Sequence, residues 1–344
     1  MDTVFVITVV TIALIVVFDY TNGFHDASNV IATVIASRAL TPIQAVALVA
    51  VAEFLGPILG GTAVANTIGK FIDLETVDTI ASLCIIMAGV IGAIVWNLGT
   101  WLFGIPSSSS HALVGGLIGP VCISVGPSKV VWGFEELALH AHVTGVTKVL
   151  LALILSPIIG FWVGFVVQRF SGLLLRGAHP QLNTHLRRGQ ILTAAWLAFS
   201  HGANDAQKSM GIITLVLLTG GTLSAFDVPF WVILTCASAI TLGILSGGWR
   251  IVRTVGFGIY KVRPLHALNT QLTSAGVIFG AAMVGGPVST THVVSSSIMG
   301  IGASERPRAV RWAKAREIVS TWLITIPGSA TIGILAWLLI RFFT

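Results

Sequence analysis

The sequence predicts an all-α polytopic membrane protein of two inverted repeats, with broken helices and re-entrant helical hairpins. Three observations carry this reading. First, 55% of the 344 residues are hydrophobic and 9% are charged, with a mean hydropathy of +0.93. A soluble chain carries about 25% charged residues. Second, polar motifs recur. Asn22-Gly23-Phe24-His25-Asp26-Ala27-Ser28-Asn29 returns as His201-Gly202-Ala203-Asn204-Asp205-Ala206-Gln207-Lys208, at an offset of 179. Gly104-Ile105-Pro106-Ser107-Ser108-Ser109-Ser110-His111 returns as Gly285-Gly286-Pro287-Val288-Ser289-Thr290-Thr291-His292, at an offset of 181. Gly60-Gly61, Thr67 and Gly69 return as Gly247-Gly248, Thr254 and Gly256, at an offset of 187. Third, the basic residues gather in a few short loops. The expected organisation is a first repeat at 1–168, a cytoplasmic linker at 169–188 and a second repeat at 189–344.

Apolar stretches fall near 3–20, 27–37, 43–60, 79–103, 109–125, 147–168, 190–200, 207–219, 229–248, 267–284, 288–302 and 317–340. A membrane helix needs about 20 residues, so several of these cannot cross alone. The short ones flank the polar islands in pairs, which predicts broken helices and hairpins whose unwound backbone lines a cavity. The run from Thr3 to Phe18 has no basic leader and no small-residue cleavage site before Asp19, so it reads as a span, not a signal peptide. No soluble domain is expected. Cys84, Cys122 and Cys236 lie in apolar stretches without metal spacing and are expected to pack.

Charge sets the expected orientation. Arg38 and the loops carrying Arg169, Arg176, Arg187, Arg188, then Arg250, Arg253, Lys261, Arg263, then Arg306, Arg308, Arg311, Lys314, Arg316 hold 14 of the 19 Lys and Arg. The positive-inside rule places them in the cytoplasm. The equivalent loops of the first half carry Asp73, Glu75, Asp78 and Glu135, Glu136 instead, so 70–78 and 127–145 are expected outside. An even number of crossings then separates the basic loops, and 190–219 counts as one broken span. Both termini are expected external, in a multi-pass protein of the inner cell membrane. The net charge of +6 is no nucleic-acid footprint, since it sits in loops between spans.

Polar groups inside a bilayer are costly and mark a substrate path by default. Pro106 and Pro287 suit the first turn of a new helix. Ser107, Ser108, Ser109, Ser110 and Ser289, Thr290, Thr291 then fall where free N–H groups, hydroxyls and a positive dipole end meet, a generic anion site. Such residues also cap and pack membrane helices, although matched duplication argues for more. Asp26 with Asn22, Asn29 and Thr33, and Asp205 with Asn204 and Gln207, offer hard oxygen ligands suited to Na+, or a carboxylate that carries H+. The alternative is an acid bonded only to unwound backbone. Lys208 either neutralises Asp205 at an i,i+3 spacing or contacts substrate. His25, His111, His201 and His292 are read as capping broken-helix backbone rather than binding metal. Glu53 is a further buried acid whose repeat counterpart is Ile240.

Taken together, Gly23-Phe24-His25-Asp26, Gly202-Ala203-Asn204-Asp205 and the two Pro-Ser/Thr-His motifs resemble the PiT-type inorganic phosphate transporter family, over essentially the whole chain. The resemblance implies a cation-coupled phosphate symporter with hairpins around a central site. It places phosphate at Ser107–Ser110 and Ser289–Thr291. It places cations at Asp26 and Asp205 with Asn22 and Asn204, and Asn29 is a further cation-binding candidate. Glu53, His25, His111, Gln207, Lys208 and His292 become coupling or supporting residues. Phe24-His25 departs from the usual Ala-Asn, and Glu53 lacks an acidic partner, which bears on stoichiometry. The large cytoplasmic loop of eukaryotic relatives is missing, which suggests a minimal bacterial or archaeal form.

The expected function is therefore secondary active import of inorganic phosphate with Na+ or H+, with no cofactor besides the coupling ion. Membrane lipid is the surrounding partner, nucleic acid is not a partner, and a homodimer is one assembly open to the chain. A permease for sulfate or another tetrahedral oxyanion is the nearest alternative, with a metal-phosphate:H+ symporter beside it. A passive anion channel conflicts with the buried acids. An intramembrane hydrolase lacks support, since no Gly-x-Ser-x-Gly or His-Glu-x-x-His motif occurs, so the chain is read as no enzyme.

Overall fold

The computed structural model describes residues 3–247, 256 and 258–343. Arg250, Arg253, Gly248 and Thr254 lie outside the described residues. Twelve α-helices follow in order among those described: α1 Thr3–Ala36, α2 Pro42–Leu59, α3 Ala63–Gly69, α4 Thr79–Leu102, α5 Ser109–Ser124, α6 Phe134–His140, α7 Gly145–Leu174, α8 Leu182–Thr219, α9 Phe230–Ser246, α10 Pro264–Met283, α11 Thr290–Glu305 and α12 Trp312–Phe343. The β pairing among these residues is one isolated bridge between Ile72 and Val130. Helices α1, α2, α4, α7 and α12 are long and apolar enough to cross a membrane, and α5 and α9 are shorter apolar helices. Large apolar side chains such as Phe5, Trp162, Phe170 and Leu323 are exposed, while Asp19, Asn22, Asp26, Glu53, Asp205 and Lys208 are buried. Polar inside and apolar outside is the polarity of a multi-pass membrane protein.

The element order repeats, as the doubled motifs require. Helices α1, α4, α5 and α7 of the first half answer to α8, α10, α11 and α12 of the second, and the 3-10 turn at Pro127–Lys129 answers to that at Pro307–Ala309. Helix α1 runs antiparallel to α8. Ser37, just beyond the end of α1, donates to Gln190 near the start of α8 at 2.6 Å, while Thr8 lies beside Gly220 just past the end of α8. At about 1.5 Å per residue, the 38 residues of α8 cover roughly 57 Å, well beyond a hydrocarbon layer of about 30 Å.

Helix crossings depend on missing side chains. A Cβ on Gly23 would fall on the carbonyl of Ile240 in α9, and one on Gly202 would fall on the carbonyl of Glu53 in α2. Gly56 meets the backbone of Phe199 and Ala203, and Gly243 meets Tyr20 and Phe24. These are the same two crossings, one per half, with Glu53 and Ile240 in equivalent places. Small residues let backbones approach closely where no hydrophobic drive exists between helices in lipid.

Each half carries a hairpin. Helix α4 turns at Gly104 (φ +66) and Pro106 into α5, and α10 turns at Gly285 (φ +70) and Pro287 into α11. Both glycines hold the left-handed backbone that a side chain disfavours. The second helix of each hairpin packs on the long helix of the other half, α5 on α12 and α11 on α7. Gly115 and Gly119 face Ile326 and Ala330 of α12, and Gly300 faces Phe161 of α7, so the halves interlock.

Two expectations are corrected here. The Asn/Asp motifs do not break their helices: α1 and α8 run through them unbroken. Gly, Ala and Ser tolerate the helix, and the polar side chains pair across helices instead of with their own backbone. The prolines do not stand at the first helical position either. Pro106 and Pro287 each lie two residues before the N-caps, Ser108 and Ser289, within the hairpin turns.

Charge separates between the two ends of α8. Arg38, Arg187, Lys261, Arg263 and Arg311 line one cavity of about 500 Å³ near its start. Asp73 and Glu75 line another of about 650 Å³ at its end, with Leu218 and Thr219. Lys129 reaches Asp73 at 3.6 Å, joining the 70–78 and 127–145 segments. Cys84 and Cys236 are buried and Cys122 half-buried, all as free thiols.

Candidate functional site

The motifs of α1 and α8 and the tips of both hairpins converge in the middle of the bundle. Ser108 and Ser289 are N-caps, accepting from the N–H of His111 at 3.2 Å and His292 at 3.4 Å. The first N–H groups of α5 and α11 have no partner inside their helices, and the positive dipole ends point the same way. From α5, Ser109 Oγ donates to Asp26 Oδ2 at 3.4 Å. From α11, Thr290 Oγ1 donates to the same oxygen at 3.3 Å, and Thr291 Oγ1 donates to Asp26 Oδ1 at 3.1 Å. Two clusters 181 positions apart thus meet on one carboxylate.

Asp26 also meets His25 Nδ1 at 2.8 Å. His25 Nε2 is 3.3 Å from Ser107 Oγ, which is 2.8 Å from Thr100 Oγ1. Ser107 is therefore tied to the hairpin turn rather than to the centre. Asn204, the counterpart of His25, does the same for the other hairpin: it donates to Gly286 O at 3.0 Å and accepts from Val288 N at 3.2 Å. Gln207 accepts from Val64 N at 2.8 Å and holds α3 against α8. Asn29 donates to Thr291 Oγ1 at 2.8 Å, and Asn22 donates to Asp205 Oδ2 at 3.4 Å. The Oδ1 atoms of Asn22 and Asn29 are buried acceptors with no hydrogen-bond partner. Lys208 Nζ stands 2.9 Å from Asp205 Oδ1.

His201 is the residue that sequence reasoning undervalued. Its Nδ1 lies 2.5 Å from Glu53 Oε1, and its Nε2 is 3.9 Å from both Asp26 Oδ2 and Asp205 Oδ2. Asp26, His201 and Asp205 each offer one ligand atom, all within 4.8 Å of one another. When the Nδ1 proton points to Glu53, Nε2 is a lone-pair donor between two carboxylates, the usual way a carboxylate orients a metal-binding imidazole. When both nitrogens are protonated, the imidazolium itself neutralises the pair. The expectation that the histidines cap broken backbone is corrected accordingly. His25 and His201 pair with acids, and His111 Nδ1 lies 2.8 Å from Ser108 Oγ. His111 and His292 face each other with ring centroids 4.6 Å apart, and His292 stacks on Trp322.

Sequence reasoning missed Asp19 altogether. It is fully buried, with the Ser209 hydroxyl and the Cys236 thiol beside its carboxylate and Asp205 and Lys208 among its electrostatic neighbours. The available signal was an acid inside an apolar run, one turn before Asn22.

Long interlocked helices and paired hairpin tips around a buried polar centre are the architecture of a polytopic membrane transporter. The phosphate transporter family model matches residues 22–333. A protein named probable low-affinity inorganic phosphate transporter, from Bacillus subtilis (strain 168), is 43% identical over 344 residues, covering 99% of each chain. One of the same name from Rhizobium meliloti (strain 1021) is 42% identical over 95% of this chain and 94% of its own. A solved structure of a protein called the sodium-dependent phosphate transporter matches with a TM-score of 0.85 at 22% identity, covering 98% of this chain and 100% of that one. That last likeness concerns the fold. This chain belongs to the phosphate transporter family, a family of transporters and not of enzymes, which bears out the resemblance carried by the doubled motifs.

Proposed function

We propose that this protein imports inorganic phosphate by symport with Na+ or H+, from the inner cell membrane, with both termini external. In this reading the halves 1–168 and 189–344 are inverted about the cytoplasmic linker 169–188. The antiparallel course of α1 and α8 and the gathering of basic residues at one end support the inversion. The observation that carries the coupling is the sharing of Asp26. Hydroxyls from both hairpins donate to its carboxylate. A cation or proton loaded on Asp26 takes over its charge and frees Ser109, Thr290 and Thr291 to donate to phosphate, beside two helix N-termini. Each ligand thereby favours the other, as reciprocal coupling requires.

Coupling is needed on energetic grounds. Each negative charge entering against an inside-negative potential costs about 2.3 kcal/mol per 100 mV. Phosphate brings one to two such charges at neutral pH, so at least an equal positive charge must accompany it. The unpartnered Oδ1 atoms of Asn22 and Asn29 suit Na+. The His201–Glu53 and His25–Asp26 pairs suit a proton. The solved neighbour is named as sodium-dependent, which makes Na+ the first ion to test. The clustering of Asp26, His201 and Asp205 favours one second reading, a metal–phosphate complex carried with H+. Uptake of phosphate into proteoliposomes under separate Na+ and H+ gradients, with Mg2+ added or chelated and sulfate as competitor, tests all of this. Uptake that follows phosphate alone, with no cation gradient, overturns the symport.

Replacing Ser109 and Thr290 together by alanine should weaken phosphate affinity about tenfold or more, since a hydrogen bond to a charged group contributes about 1.5–3 kcal/mol. Cation affinity should change less, which isothermal titration with phosphate and with Na+ can separate. Equal losses for both would remove the hydroxyls from the anion site. For orientation, a cysteine at Glu75 should react with an impermeant maleimide on intact cells, and one at Arg187 only after permeabilisation. Both positions are exposed, so a reversed pattern refutes the proposed topology.

A further inference from the structure

Lys208 is one of the largest fully buried side chains in the protein. Its ammonium has three oxygen neighbours from three elements. They are the Asp205 carboxylate in α8 at 2.9 Å, Ser110 Oγ in α5 at 2.5 Å and the Val288 carbonyl before α11 at 3.1 Å. Ser110 also donates to Val288 O at 3.0 Å. A carboxylate, a hydroxyl and a backbone carbonyl converging on one positive charge is the kind of ligand set that holds an alkali cation.

The repeat shows what this position holds when it has no charge of its own. Lys208 answers to Asn29, Asp205 to Asp26 and Ser110 to Thr291. Asn29 donates to Thr291 at 2.8 Å just as Lys208 donates to Ser110, and Thr291 lies on Asp26. On the Asp26 side, however, the occupant is neutral and keeps a buried, unpartnered acceptor in Asn29 Oδ1. On that side Asp26 meets the His25 ring, whereas Asp205 meets an ammonium held on three oxygens. The two halves therefore differ at this point in charge, not in layout.

We propose that Lys208 is a built-in cation: its ammonium occupies one of two repeat-related cation positions, so each phosphate moves with one mobile cation fewer than a symmetric site would carry. This rests on the symport reading above and specifies its stoichiometry. Lys208 also spans both hairpin tips, so it holds the Asp205 side closed around a charge that never leaves. Cation exchange is confined to the side of Asp26.

The test is Lys208→Asn, which restores the residue found in the first repeat. Without the ammonium, Asp205 is left with no fixed cation and with the buried Asp19 among its electrostatic neighbours, and the position takes a mobile one. In detergent, with Na+ as the probe and choline as control, Lys208→Asn should gain a Na+-dependent rise in unfolding temperature that the wild type lacks at that site. Asp205→Asn/Lys208→Asn, which removes both charges, should not gain it. In proteoliposomes, the reversal potential should show one additional positive charge per phosphate for Lys208→Asn, while Lys208→Arg keeps the wild-type count. A Lys208→Asn protein that Na+ does not stabilise, or that moves the wild-type charge per phosphate, overturns the proposal. The binding measurement needs no transport, so its failure is distinct from a failure of wild-type phosphate uptake, which would sink the symport reading instead.

Discussion

Asp26→Asn is expected to abolish gradient-driven phosphate uptake while leaving a folded protein. The amide keeps the shape of the carboxylate and still accepts on one side from Ser109, Thr290 or Thr291. It cannot balance a cation or carry a proton. It also leaves His201 Nε2, 3.9 Å away, facing one acid instead of two. Removing one partner from a buried charge arrangement typically costs about 3–5 kcal/mol. Asp205→Asn should be similarly inactive, because it strands Lys208 as a buried charge. Uptake into proteoliposomes, with unfolding temperature in detergent as the control for folding, decides the matter. Near-normal concentrative uptake by both variants would show that neither carboxylate is needed for coupling.

Gly202→Val and Gly23→Val are each expected to have a large structural effect. A β-carbon at 202 would land on the backbone carbonyl of Glu53, and one at 23 on that of Ile240. Backbone cannot rotate aside as a side-chain end can, so α8 must move from α2, or α1 from α9. Each shift pulls a motif residue out of the centre. Gly202 neighbours His201, whose 2.5 Å contact with Glu53 depends on that crossing. Overpacking of this kind costs about 1–3 kcal/mol when it can be absorbed and more when backbone must part. Loss of monodisperse protein, or a strongly lowered unfolding temperature, is the expected result. Gly99→Ala is the control, because a Cβ there meets nothing within 4 Å. It should be neutral or slightly stabilising, as Ala is favoured over Gly in a helix by about 1 kcal/mol. Wild-type stability of Gly202→Val would refute the account of these crossings.

Much of the architecture was legible locally. Hydropathy marked the membrane segments, and the Gly–Pro–Ser pattern marked both hairpins, because turn chemistry and capping act over a few residues. The breaks expected at the Asn/Asp motifs were a misreading of polarity as disorder. Polar residues interrupt an apolar run in the sequence, yet a helix satisfies its own backbone whatever its side chains do. What matters is whether those side chains find partners elsewhere, and here they do.

The class, the doubled plan, the hairpin tips and the acids Asp26, Asp205 and Glu53 could be read from the chain alone. These follow from composition and from motifs that repeat at fixed offsets. The pairings emerge only once the helices are packed. Ser109 and Thr290 share one Asp26 oxygen, His201 links Glu53 to both aspartates, Lys208 sits where its repeat mate is a neutral asparagine, and Asp19 lies buried within electrostatic reach of it. Partners in these contacts stand from 3 to 264 positions apart in the chain. A side chain's periodicity reveals which face of its helix it occupies, but not which other helix will cross that face. That choice is made by close backbone approach at glycines such as Gly23 and Gly202, and it is settled only when all the helices pack together.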